Sequence, residues 1–168
     1  LLCSLAATAL AATLGLPLAW VLARVEFRGR GFVRGLVLLP LVVPPVVAGV
    51  GLLAAFGRNG LLGGSLNMLG LRVTFTPIAV VLAEAFVALP FLVLAVEAGI
   101  RSIDRRYEDA ARTLGASRGF VMRRITLPLL APSLAAGLAL AWARALGEFG
   151  ATITFAGNIQ GRTRTVPL

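Results

Sequence analysis

The chain has 168 residues, 58% of them hydrophobic and 14% charged, with a net charge of +9 and a mean hydropathy of +0.92. That is more apolar side chain than a soluble domain of this length hides in one core, which points to a polytopic, all-helical membrane protein. The net charge alone would suit nucleic acid, but the positions of the charges argue against a nucleic-acid partner.

Leu1 to Ala23 carries no charge, and neither does Gly35 to Gly57 nor Ile125 to Ala143. Pro77 to Ile100 is equally apolar apart from Glu84 and Glu97. Each window approaches the ~20 residues that carry a helix across ~30 Å of hydrocarbon. These windows predict one domain over residues 1–168 with spans at about 1–23, 35–57, 77–100 and 127–149, and a cytoplasmic loop over 101–126. The first run has no basic segment before it and no small-residue cleavage site after it, so it reads as a span and not as a signal peptide. The absence of an initial Met and the abrupt end at Val166-Pro167-Leu168 read as a piece of a longer protein, with room for further helices at either end. Cys3 is the single cysteine and there is no His, so neither a disulfide, a usual zinc spacing nor His-based acid–base chemistry is expected.

All 16 cations are Arg. Arg24, Arg28, Arg30 and Arg34 fill the link after the first span. Arg101, Arg105, Arg106, Arg112, Arg118, Arg123 and Arg124 fill the link before the fourth, whereas the 58–76 link carries only Arg58 and Arg72. Under the positive-inside rule the two Arg-rich links face the cytoplasm, and the first residues, the 58–76 link and the tail lie outside.

The second span contains Pro40, Pro44, Pro45, Gly49 and Gly51. Proline removes a helical hydrogen bond, and interrupted membrane helices are tolerated where protein or a wet cavity satisfies the freed carbonyls. A lone proline is as readily a packing kink. This density favours a helix that lines a transport path, with Pro44 and Pro45 as candidate lining residues. Pro90 and Pro17 are expected to kink the third and first spans. Of the charges inside spans, Glu97 and Arg101 form an i, i+4 pair, as do Arg144 and Glu148 near the outer end of the fourth span. Glu84 has no local partner, so it must reach the interface, face a cavity or pair with another helix.

The most structured polar stretch is Tyr107 to Pro128, YEDAARTLGASRGFVMRRITLP. Asp104 is a candidate N-cap, with Glu108 and Asp109 near the positive end of the helix dipole. Tyr107, Ala110, Ala111 and Leu114 recur at i, i+3, i+4, i+7 as one narrow apolar stripe, and Gly115 is a candidate C′ terminator. Ser117 is placed to cap a second helical segment bearing Phe120, Val121 and Ile125. A stripe of this kind either docks a partner or lies on lipid headgroups, with its arginines drawn to anionic lipid.

The spacing Asp109-Ala110-Ala111, three residues, Gly115, nine residues, Ile125, one residue, Leu127-Pro128 resembles the cytoplasmic motif of binding-protein-dependent ABC importer permeases. That motif ordinarily begins with Glu, where this chain has Asp109 preceded by Glu108. The stretches Leu39 to Gly60, Ala111 to Ser117 and Ala143 to Leu168 are similar to molybdate permeases, with sulfate permeases as near relatives sharing the Gly147-Glu148 pattern. The resemblance implies a type I ABC importer membrane domain in a prokaryotic inner membrane, with no catalysis or bound cofactor of its own. It further implies a second permease copy, two ATP-binding subunits that hold ATP and Mg, and an external substrate-binding protein. Glu108, Asp109, Ala110, Ala111, Leu114 and Gly115 would then meet the ATPase. Pro44, Pro45, Arg144 and Glu148 would line the path for molybdate or tungstate, with sulfate or thiosulfate as the alternative cargo. An ion-coupled secondary transporter would instead rest on Glu84 and Glu97, and gives no reason for the 107–128 pattern.

Overall fold

The computed structural model describes residues 1–58, 60–68, 70, 73–161 and 163–168. Among the described residues all regular structure is helical: α1 (Leu2–Arg24), α2 (Arg30–Val42), α3 (Pro45–Phe56), α4 (Gly63–Met68), α5 (Pro77–Ser102), α6 (Arg105–Thr113), α7 (Arg118–Val121), a π-helical turn (Met122–Thr126), α8 (Leu127–Leu146) and α9 (Gly150–Phe155). By length and composition α1, α5 and the continuous run Arg118–Leu146 are each able to cross a membrane. Neither α1 nor α5 is interrupted at its internal proline, Pro17 or Pro90.

The stretch expected as a second span is two helices rather than one kinked one. α2 and α3 meet at 118°. The cause is the proline pair: Pro44 offers no N–H to the Pro40 carbonyl, and Pro45 drives the residue before it out of the helical region. Val43 and Pro44 accordingly have ψ of 128° and 137°, and Pro45 starts α3 at the position where a proline N–H is not missed.

The interior is built around α5, whose buried Ala85, Ala88, Leu92, Val93, Val96 and Ile100 pack against Ala7, Ala11, Ala19 and Leu22 of α1 and Ala141 and Ala145 of α8. Small residues dominate because helices in lipid gain little from hiding apolar surface and associate through close van der Waals contact. Gly99 shows how close. A methyl group there would collide with the Ser133 side chain and lie 3.1 Å from Leu130 Cδ1. A second apolar cluster joins the first half of α5 (Ala79, Val80, Ala83, Val87) to α9 (Ala151, Phe155) and α3, with the Phe56 and Phe155 rings 6.2 Å apart. The outward faces of α1, α2, α3 and α8 expose Leu5, Leu14, Leu36, Leu39, Val46, Val50, Leu129 and Leu140, an apolar surface that lipid or further helices must cover. Gly99→Val in the full-length protein is expected to destabilise it by about 1–3 kcal/mol through overpacking. Gly31→Val, where a side chain meets nothing within 4 Å, serves as the tolerated control. Thermal unfolding in detergent followed by size exclusion reads the difference, and equal melting of the two would contradict the tight α5–α8 approach.

Candidate functional site: a capped helix and paired carboxylates

α6 is defined at both ends by side chains and backbone of its own sequence. The Asp104 carboxylate accepts the Arg106 N–H at 2.9 Å, satisfying one donor of the first turn. At the other end Gly115 takes φ +82°, and the N–H groups of Gly115 and Ala116 donate to the carbonyls of Arg112 and Ala111, both at 3.0 Å. This paired pattern is a Schellman closure, for which a left-handed glycine is the favoured residue. Ser117 then accepts the Phe120 N–H at 3.3 Å and opens the run that becomes α8. The result is a nine-residue helix set off by a sharp turn on each side.

One face of α6 is open. Tyr107 is 62% and Leu114 88% exposed, Ala110 is exposed, and Ala111 is half-buried. Asp109 is exposed beside Arg112, 3.3 Å away. Glu108, grouped with this face in the sequence, turns inward instead. It is 7% exposed, and its Oε1 accepts Arg24 Nη2 at 2.6 Å and Thr126 Oγ1 at 3.0 Å, while Arg112 lies 3.8 Å from Oε2. The Arg24 guanidinium also sits over the Trp20 ring, 5.5 Å from its centroid. A buried carboxylate is costly unless paired and hydrogen-bonded, and here it is both.

A second buried carboxylate, Glu97, is 2% exposed and lies 2.6 Å from Arg101 and 3.6 Å from Arg34 of α2. Arg101 and Arg30 both donate to the Leu22 carbonyl near the end of α1, the former at 3.4 Å, so cations satisfy one carbonyl of its last turn. The Glu97–Arg101 spacing is legible in sequence, whereas Arg34 and Leu22 arrive only through the fold.

At the opposite end of the spans, Arg144 Nη2 lies 2.8 Å from Glu148 Oε2, although Oε2 makes no properly angled hydrogen bond. Glu148, 1% exposed, uses Oε1 to accept the Ala151 N–H at 2.9 Å in the first turn of α9. Gly150 rests against Pro45 and Val46, so the α2–α3 bend and the Arg144–Glu148 pair come to the same region. Pro44 and Pro45 themselves are exposed. Glu84 is buried, its Oε2 has no hydrogen-bond partner, and it lines a cleft with Cys3, Ser4, Arg164 and Thr165. Among the described residues no cluster of His, Cys, Asp or Glu could hold a metal ion. Arg72 of the outer link, and Asn59 and Arg162 in the stretches quoted for the resemblance, lie outside the described residues.

Known proteins match along most of the chain. A family model described as the binding-protein-dependent transport system inner membrane component covers residues 15–167. The chain is 54% identical over 163 residues to the molybdenum transport system permease protein ModB of Mycobacterium tuberculosis, covering 97% of this chain and 62% of that one. It is 45% identical over 171 residues to ModB of Escherichia coli K12, covering 99% and 75% of the two. The sulfate transport system permease protein CysT of Salmonella typhimurium is 42% identical over 154 residues, covering 92% and 56%. The chain thus spans about 62% of the length of its mycobacterial relatives. A helical membrane bundle that carries the 107–128 motif on an exposed, capped helix and matches the family model from residue 15 to residue 167 belongs to the inner membrane components of binding-protein-dependent transport systems.

Proposed function

We propose that this chain is the permease of an ATP-driven importer that carries molybdate, or its close analogue tungstate, across the inner membrane by alternating access. Two copies enclose the path. Two ATPase subunits, which bind ATP and Mg, sit on the cytoplasmic side, and an external binding protein delivers the oxyanion. The observation that carries this reading is α6: a short helix on the Arg-rich side of the bundle, capped at both ends, with Tyr107, Ala110 and Leu114 facing water. Apolar side chains held outward on a rigid helix support helix-in-groove docking, and a partner bound there couples its own state to the gate. The molybdenum permease relatives, at 45–54% identity, support molybdate over sulfate, for which the relative stands at 42%. Of the two carboxylates an ion-coupled carrier would use, Glu97 is taken by Arg101 and Arg34, while Glu84 keeps an unpartnered oxygen.

Arg144 is the cation proposed to meet the dianion. Its present partner is Glu148, whose Oε1 keeps the Ala151 bond while Oε2 has no other partner, so exchanging carboxylate for oxyanion strands Oε2 and favours the return of Arg144 once the cargo leaves. Such an exchange suits transient binding, because a path must release its cargo.

Leu114→Arg places an unpaired charge on the docking face. It is expected to weaken association with the ATPase subunits by about 2 kcal/mol or more, roughly thirtyfold. Co-purification and titration of the detergent-solubilised complex measure this, and full-strength association would remove α6 as the docking helix. Arg144→Ala is expected to lower molybdate uptake into proteoliposomes by about tenfold, the loss of one charged hydrogen bond. The affinity of the binding protein should stay the same. Arg144→Ala/Glu148→Gln separates loss of the cation from a stranded carboxylate. Wild-type rates in the double variant would take Arg144 out of the path, and uptake of sulfate in place of molybdate by the native complex would favour the sulfate reading.

A further inference from the structure

We propose that Glu108 is an internal joint that passes movement of α6 to the membrane-spanning helices, and not a contact for the ATPase. This rests on α6 being the helix that the ATPase drives. The backbone of α6 packs against α7 and the π turn, with no comparable packing against α1. Its link to α1 is therefore made chiefly by a side chain, the Glu108–Arg24 pair at 2.6 Å. The same carboxylate oxygen accepts Thr126 Oγ1 from the π turn, the segment through which the cytoplasmic run enters α8. One buried oxygen thus ties the cytoplasmic helix to the end of one span and the start of another.

Three features fit a joint better than a docking contact. Glu108 is buried with 7% exposure, so a protein arriving on the Tyr107–Leu114 face does not reach it. Arg24 is fixed from its other side by the Trp20 ring, which makes it a poor swivel and a good anchor. Thr126 lies in a π turn, a geometry that recurs where a helix carries a functional distortion. Glu108 is a positioning residue, acting through Arg24 and Thr126.

The test uses the full permease assembled with its ATPase subunits and binding protein in proteoliposomes, comparing Glu108→Gln, Arg24→Gln and the exchanged pair Arg24→Glu/Glu108→Arg. Glu108→Gln and Arg24→Gln are each expected to assemble with the ATPase yet to lower the molybdate carried per ATP hydrolysed by about tenfold, a coupling loss and not a docking loss. The exchanged pair is expected to recover a large part of that ratio. A wild-type ratio in the single variants overturns the proposal, as does loss of assembly matching that of Leu114→Arg, which would make Glu108 a docking residue. If Leu114→Arg itself assembles normally, the reading of α6 fails instead, which keeps the two failures apart. Should the single variants not fold, spin labels at Thr113 and Val25 in the otherwise native chain give the answer. Their separation is expected to stay constant between nucleotide-free and ATP-bound complexes, and a change of separation overturns the joint.

Discussion

A carboxylate held away from water is costly unless a cation or hydrogen-bond donors match it, and three such matches mark where the helices of this chain meet. Buried Glu84, its Oε2 unpartnered beside a cleft, stands apart. Glu97, Glu108 and Glu148 are all buried, and each is met by arginine. Glu97 gathers α5, α2 and, through Arg101, which also reaches Leu22, the end of α1. Glu108 gathers α6, α1 and the π turn. Glu148 holds the join between α8 and α9. Hydrophobic burial cannot choose among helix arrangements in lipid, because the surroundings are as apolar as the side chains. Charge pairs that cannot be left open do choose, and they sit at the ends of the spans where elements change direction.

Between those ends the packing is of a different kind. α5 runs through the middle with alanines, valines and Gly99 on its contact faces, so α1 and α8 approach closely along its length. α3 and α9 close the opposite end around Phe56 and Phe155. The bundle is therefore stiff along its middle and tied by ion pairs at its margins. Under the proposed function, such a frame would pass a push on α6 to the spans instead of absorbing it.

Features set by near neighbours in the chain were legible from residues alone. The caps at Asp104 and Ser117, the left-handed Gly115, the Glu97–Arg101 and Arg144–Glu148 pairs, and the apolar windows all follow from spacings of a few residues. The sharpness of the α2–α3 bend was not, because proline counts predict a break without its angle. Nor was the inward turn of Glu108. Residues 108 and 109 are both acidic and adjacent to the Ala pair, and only the fold brings Arg24, 84 positions away, beside the first of them. The π turn was invisible for the same reason: Met122 to Thr126 carries no local mark of a widened helix.

Under the proposed function, energy enters through the exposed face of α6. Hydrogen exchange of the full-length protein, with and without the proposed ATPase subunits, tests it directly. Protection is predicted over 105–116 on adding the ATPase subunits, with no change over 150–161, which lies toward the other end of the bundle. Unchanged exchange in 105–116, or protection confined to another segment, would contradict the account.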